Sequence, residues 1–363
     1  MTPGTGLTGK TLIVLSPAFP ANESGEQSPW IPAKQSLIRA LNRNFPELEI
    51  IVLVFQFPID KAEYLWHGNR IIPFGGANVR RGHNLKLWFT VFRKLMGLNR
   101  DKEIMGIISF WCAECCLVGS YFSRLYSTPH LCWISGLDAK KENKFVKRIR
   151  PRATELAAMS DFLKDEFYSS HAISPKHLIP DGIDISLFSS GRPERTIDIM
   201  GAGNLVTLKR YNMFVEVVAA INDQYGSVNT VLCGGGSEEE NLRTQISGSG
   251  LADNIILTGL LPQKEVLELM KKTKIFLHTS VYEGFGNVCI EALYAGAHVI
   301  SFTRPMKEQI PNWHIVATKE EMIDKALAIL QSENTTYTPV LPFDMNDSAK
   351  KFIEILVAAP DKH

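Results

Sequence analysis

The constraint that weighs most on this chain is the kind of apolar run it repeats. In the first half the runs are "TLIVLS" (11–16), "IIVLVF" (50–55), "IMGIISF" (104–110), "HLCWI" (130–134), "TELAAMS" (154–160) and "KHLIP" (176–180), with helical patterns between several of them. A strand with one wet face alternates apolar and polar residues; these do not. They read as strands covered on both faces, and alternation with helices makes the sheet parallel. One of the helices spans 33–45, where Ala33, Leu37, Ile38 and Leu41 share a face.

The pattern then resets. "PDGIDISLFSSGRPERT" (180–196) is rich in Gly, Pro, Ser and charge, the composition of a boundary. "IDIMG" (197–201), "TVLCGGG" (230–236), "NIILTG" (254–259), "IFLHTS" (275–280) and "AHVISF" (297–302) follow, again with helices between. Two successive units of this kind predict an α/β chain of two facing doubly wound, Rossmann-like domains with a cleft between them, over roughly 1–185 and 190–340. The segment 344–360 has Ala349, Phe352, Ile353, Leu356 and Val357 on one side, which predicts a helix packing back onto the first domain.

A length of 363 residues suits two domains better than one core. A net charge of +1 gives no global field for nucleic acid. The cysteines lack the spacing of a secreted disulfide framework, "TLIVLS" reads as a strand rather than a signal segment, and no stretch is long enough for a membrane span. The location expected is cytoplasmic, with any membrane contact peripheral at the inner face.

Chemistry concentrates in "VYEGFGNVCIEALYAG" (281–296), where a strand runs through a glycine turn into a helix. Parallel sheets bind ligands at the carboxyl ends of their strands, where helix N-termini present N–H groups. Gly284 and Gly286 allow backbone to approach a ligand, and Glu291 lies about five residues into the helix, roughly 7–8 Å along it. Glu283 and Glu291 can then grip two parts of one extended ligand, such as hydroxyls of two sugars, through charge-assisted hydrogen bonds. An exposed turn glutamate and a solvated helix glutamate would give the same spacing.

The segment "EGFGNVCIEALYAGAHVI" (283–300) resembles the signature of retaining family 4 glycosyltransferases of GT-B fold: Glu-Gly-Phe-Gly, a second Glu eight residues after the first, then Ala-x-x-x-Gly and an apolar strand. "MSDFLKDEF" (159–167), "IPDGIDISLF" (179–188), "GNLVTLKRY" (203–211), "LCGGGSEEENL" (232–242) and "LTGLLPQKEVLELMKKTKIFLHTS" (257–280) follow the family's order, so the resemblance covers about 130 to 302. It implies a nucleoside diphosphate sugar as substrate, bound in the second domain, and a saccharide or lipid-linked acceptor at the first. No cofactor or metal is implied. Carried onto this sequence, Glu283 would orient the transferred hexose, Glu291 would hold the ribose, and Lys209 would meet the diphosphate. Backbone amides of Phe285, Gly286 and Asn287 would assist, with the helix dipole behind them. Gly203 and Asn204 belong to the phosphate loop, Gly234 and Gly235, with Gly236, to the floor near the nucleotide, and Leu260 and Leu261 to the base pocket.

The chain departs from this pattern twice. Asn204 stands where the family has an arginine, with Arg210 the nearest substitute. Ser135 stands where it has the histidine of "His-Gly-x-Asp", although Gly136 and Asp138 match. Asp138 is expected to act on the acceptor side or in the loop's structure. Both departures keep a non-catalytic nucleotide-binding or partner protein in view, beside a nucleotide-sugar epimerase or hydrolase of the same fold. Gly25, in the loop after the first strand, would approach the acceptor.

Cys112, Cys115, Cys116, His130 and Cys132 are close in sequence, but no second Cys-x-x-Cys exists, so buried thiols are expected rather than a metal. In 80–100, Leu85, Trp88, Phe89, Phe92, Leu95 and Met96 recur at helical spacing opposite Lys and Arg, which predicts a core-facing stripe. "KKENKFVKRIRPR" (140–152) carries a strong basic excess, equally suited to a solvated face and to an anionic membrane surface.

Overall fold

The computed structural model describes residues 6–21, 32–79 and 83–358, with Pro32 and His83 described by backbone alone. It divides into two units, 1–182 with 345–363, and 183–344.

The first unit holds β1 (Lys10–Ala18), α1 (Pro32–Asn44), β2 (Glu49–Phe57), β3 (Tyr64–Trp66), β4 (Asn69–Pro73), α2 (His83–Asp101), β5 (Glu103–Phe110), α3 (Glu114–Tyr126), β6 (His130–Ile134), α4 (Lys144–Ile149), β7 (Leu156–Ala158), α5 (Asp161–His171) and β8 (His177–Leu178). Its sheet has the order β3-β4-β2-β1-β5-β6-β7-β8, parallel throughout except for the β3–β4 hairpin. The apolar runs of the sequence are its central strands. Ile13, Leu15, Ile51, Leu53 and Ile107 are fully buried in one core cluster.

The second unit holds β9 (Ile197–Ala202), α6 (Tyr211–Tyr225), β10 (Thr230–Cys233), α7 (Glu239–Gly248), β11 (Ile255–Gly259), α8 (Gln263–Lys271), β12 (Thr273–His278), α9 (Asn287–Tyr294), β13 (His298–Ser301), β14 (Trp313–Ile315) and α10 (Lys319–Gln331). Its sheet, β11-β10-β9-β12-β13-β14, is wholly parallel. The chain's last helix, α11 (Met345–Ala358), belongs to the first unit. It packs on α1, β5 and β6, with Leu356 over Gly106 and Phe352 edge-on to Trp133 at 5.1 Å.

In each sheet the strand order reverses beside the unit's first strand, between β1 and β5 and between β9 and β12. At such a reversal the loops leaving the two strands diverge and open a crevice at the carboxyl edge. One expectation is corrected. On α2 the face turned to the core carries Leu87, Val91, Leu95 and Leu98, with Trp88, Phe92 and Met96 packed against it, whereas Leu85 and Phe89 are 67% and 63% exposed. The stripe is rotated because Leu87 and Val91 stand two turns and one turn before Leu95 on the same face, which turns Leu85 and Phe89 away from the core.

Candidate active site

In the second unit the crevice is built from backbone first. Gly203 leaves β9 at φ +148, and a Cβ there would stand 2.9 Å from the Tyr211 hydroxyl oxygen. Gly234 leaves β10 at φ +143, where a Cβ would overlap the Gly203 carbonyl oxygen at 1.9 Å. Amides lace these loops together: Gly203 donates to Cys233, Leu205 to Gly235 and Glu238 to Leu205, at 2.9–3.0 Å. Asn204 is exposed on the outer side of this contact, Gly235 lies under Leu260, Leu260 is 63% exposed, and Leu261 is half-buried.

Across the switch point Lys209, at the end of a 3₁₀ turn, reaches Glu283 beyond β12. The Lys209 ammonium donates to Glu283 Oε2, and Thr279 Oγ1 donates to the Lys209 carbonyl at 2.8 Å, so side chain and backbone both bridge the two strands. Buried His278, the last residue of β12, places Nε2 3.3 Å from the same Oε2 without hydrogen-bond alignment, so Lys209 is the anchor. Burial alone pushes the Glu283 carboxyl up; the imidazole and the ammonium outweigh it and hold the group at about 2. The pair is a preformed cation and anion at one crevice, each about one-fifth exposed, with side-chain exposures of 21% and 23%.

Gly286 caps α9 with φ +86, beyond the reach of an unstrained side chain, and a Cβ there would lie 3.6 Å from Glu283 Cγ. The positive end of α9 therefore opens beside that carboxylate, with Gly284 and Phe285 buried behind it and Asn287 the first helical residue. Glu291, further along α9, accepts a 2.8 Å hydrogen bond from Gln263 Nε2 at the start of α8. Sequence reasoning found the two glutamates, the lysine and the glycines. It missed His278 and Gln263, although a histidine closing an apolar strand was a visible signal.

In the first unit Asp138 is a staple. Its Oδ1 accepts from the amides of Ser135 (3.2 Å) and Gly136 (2.8 Å), and its Oδ2 from that of Cys112 (2.8 Å). Burial pushes its carboxyl up against these donors. With both oxygens turned to backbone, Asp138 shapes the loop and is not aimed at a ligand. Asn143 completes the tie, donating to the carbonyls of Cys112 and Asp138 at 2.7 Å.

A third side chain that sequence reasoning did not single out is Lys34. It is 3% exposed, donates to Ser135 Oγ at 3.1 Å and lies 3.6 Å from the centroid of the Trp133 ring, with Phe110 and Trp111 at 5.3 and 5.7 Å. Burial pushes its pKa down to about 8, against the pull of Asp181 and Asp138. Gly25 lies outside the described residues. The six cysteines are free and buried, and Cys112, Cys116 and Cys132 bring their sulfurs within 4.8 Å of one another. Linear spacing hid this triple because Cys132 arrives on the neighbouring strand. The 140–152 bases lie on and around α4, and no helix among the described residues is long and apolar enough to cross a membrane.

Residues 183–337, nearly the whole second unit, match the family model of glycosyl transferases group 1. The two largely parallel sheets have the GT-B fold of the solved neighbours. Among solved structures, Anabaena Alr3699/HepE in complex with UDP-glucose aligns over 95% of this chain and 99% of its own at a TM-score of 0.70 and 16% identity. A glycosyltransferase from Rickettsia africae aligns over 96% and 98% at 0.71 and 14%. Among curated proteins, the 2-deoxystreptamine N-acetyl-D-glucosaminyltransferase of Niallia circulans is 30% identical over 103 residues, 28% of this chain and 26% of that protein. The gpi3 subunit of phosphatidylinositol N-acetylglucosaminyltransferase from Schizosaccharomyces pombe is 24% identical over 224 residues, 59% and 49%. The chain thus spans half or less of the length of these curated relatives.

Proposed function

We propose that this protein is a glycosyltransferase that moves a hexose from a nucleoside diphosphate sugar to a saccharide or lipid-linked acceptor in the synthesis of a polysaccharide or lipopolysaccharide-type glycan. The observation that carries the reading is the Lys209–Glu283 pair at the switch point of the second sheet, with the α9 N-terminus beside it. The family match over 183–337 and the transferase names of the relatives support it.

In this reading the pair is a resting latch that the donor opens. The diphosphate takes the Lys209 ammonium, where a fixed cation stabilises the charge that develops on the leaving group. The hexose hydroxyls take the Glu283 carboxylate, which is ionised at neutral pH because its pKa is about 2. Glu291, steadied by Gln263, holds the ribose. The glycine loops bring backbone amides to the phosphates, which matters more here because Asn204 contributes no charge. Retention of the anomeric configuration and independence of metal ions belong to the same proposal, with Lys209 and helix N–H groups neutralising the diphosphate. So does action at the inner face of the cytoplasmic membrane, which the bases of 140–152 suit.

The test is calorimetric titration with UDP, GDP and ADP in the absence of divalent ions, on the wild type, Lys209→Ala and Glu291→Ala. Binding of one nucleotide, weakened by both substitutions, is the expected result. If no nucleotide binds, the exposed, uncharged Asn204 gives weight to a partner protein without donor activity. Free sugar released from the donor without any acceptor would indicate the epimerase or hydrolase chemistry instead.

A further inference from the structure

The latch occupies the carboxyl edge of the second sheet. At the opposite edge, where β12 begins at Thr273, the second unit has a cavity of about 530 Å³ that the proposed reaction does not use. The six residues of β12 separate the two edges by roughly 17 Å.

Arg192, Arg195 and Lys271 line this cavity, and no carboxylate does. Lys271 is already matched, with Glu268 Oε2 at 3.5 Å and the Ser189 carbonyl at 3.0 Å. The arginines are not. Arg195 donates to the carbonyls of Thr273 and Ala295, the latter at 2.8 Å, and its guanidinium lies 4.8 Å from the centroid of the Tyr337 ring. These contacts orient the cation without neutralising it. Burial, and after it the like charge of Arg192, work against that cation. Two arginines facing one space with no counter-charge invite an anion, and their planar forks suit a phosphate.

The loop leading into Arg192 adds donors. Ser189-Ser190-Gly191-Arg192 turns at Gly191 with φ +94, and among the described residues the amides of Ser190, Gly191 and Arg192 meet no acceptor. Successive amides around a left-handed glycine form a concave seat for an oxyanion. Beside it, Phe188 and Tyr294 meet edge to face at 4.7 Å and line the cavity with Tyr337, giving a wall for an organic body.

We propose that this cavity is a second ligand site, separate from the Lys209–Glu283 crevice, which takes the phosphate group of a small molecule. The phosphate sits on Arg192, Arg195 and the 190–192 amides, and the remainder of the ligand lies against Tyr294 and Tyr337.

The test is calorimetric titration of the full chain at low salt with inorganic phosphate, glucose 1-phosphate and UMP. It is run on the wild type, Lys209→Ala, Arg192→Ala and Arg192→Ala/Lys271→Gln. Arg192 is exposed and makes no hydrogen bond or ion pair with the described residues, so its truncation leaves the fold intact, which a melting curve verifies. Binding should survive Lys209→Ala and weaken about tenfold in Arg192→Ala, the loss of one charge-assisted hydrogen bond. In Lys209→Ala, where the nucleotide crevice is disabled, equal affinity for all three probes identifies free phosphate as the ligand chemistry, and tighter binding of glucose 1-phosphate or UMP identifies a phosphate ester. The proposal falls if Arg192→Ala changes nothing, if Lys209→Ala abolishes binding, or if no probe binds at millimolar concentration.

Discussion

If Lys209 and Glu283 form a latch, Glu283→Gln should move two affinities in opposite directions. In the free protein the ammonium is held by the carboxylate, so a nucleoside diphosphate must first separate them. A carboxyl held at about 2 where 4.5 is ordinary has its ionised form stabilised by about 3 kcal/mol at 1.36 kcal/mol per pH unit. That figure is the net of burial, which opposes ionisation, against His278 and Lys209 together, and both side chains of the latch are partly open to water. Screening brings the share that a nucleotide must overcome to about 1 kcal/mol, or roughly fivefold in affinity. Glu283→Gln keeps the shape and removes that cost, so the nucleoside diphosphate that binds the wild type should bind roughly fivefold tighter. The corresponding nucleotide sugar also needs the carboxylate for its hydroxyls. It should lose about 1.5–3 kcal/mol of charge-assisted hydrogen bonding, a net weakening of about tenfold. Paired calorimetric titrations of the variant with the two ligands measure both. Equal weakening of the two would refute the latch and make Glu283 a contact to the nucleotide itself.

Three further outcomes follow from the geometry. Lys34 has a folded pKa of about 8, below its unfolded value, so the unfolded chain holds more protons between pH 8 and 10.5; stability should rise through that window by up to about 3 kcal/mol, and chemical denaturation of Lys34→Met should show a flatter profile there. Gly234→Ala sets a Cβ against the Gly203 carbonyl at a φ of +143 and should cost about 3 kcal/mol and abolish nucleotide binding; a melting curve within a degree of wild type would contradict the packing of the two loops. Asp138→Asn replaces an acceptor oxygen with a donor facing backbone amides and should destabilise the chain by about 2 kcal/mol while leaving nucleotide affinity unchanged, since its partners are all in the first unit; calorimetry and denaturation read the two effects separately.

The central strands were legible in the sequence because a strand covered on both faces has no polar register to obscure it. β3, β4 and β14 were not. They are short and lie at the sheet margins, β3 and β14 as edge strands and β4 between β3 and β2, and Arg70, Pro73 and His314 interrupt their apolar character. The second-unit crevice was legible for a related reason: glycines and glutamates fall at fixed points of the strand–turn–helix from β12 to α9, and a lysine stands in the turn after β9. His278 meets Glu283, five residues on, only because the turn between them folds back. Lys34 was invisible for the same reason, since nothing in "PAKQSL" says that its ammonium will be roofed by Trp133 from a strand a hundred residues away. The Cys112–Cys116–Cys132 triple depends on β5 and β6 being neighbours.

Set side by side, the two units solve one problem with the same part. Each first strand, β1 or β9, is followed by a lysine, Lys34 or Lys209, whose ammonium meets a residue delivered from beyond the strand-order reversal. In the second unit that residue is a carboxylate, and the result is a charge pair a phosphate can open. In the first it is the hydroxyl of Ser135 with the faces of three aromatic rings, and the carboxylate nearby, Asp138, is spent on backbone amides. A charge pair exchanges one ion for another at modest cost in a half-open crevice. Lys34 feels Asp181 and Asp138 but forms no ion pair among the described residues, so it has no bound anion to exchange, and burial already works against its charge. The physical expectation is a division of labour: Lys209 trades partners with an anionic donor, whereas Lys34 stays in place and holds Ser135, so that Lys34→Met should disturb the first unit's loop without changing nucleotide affinity.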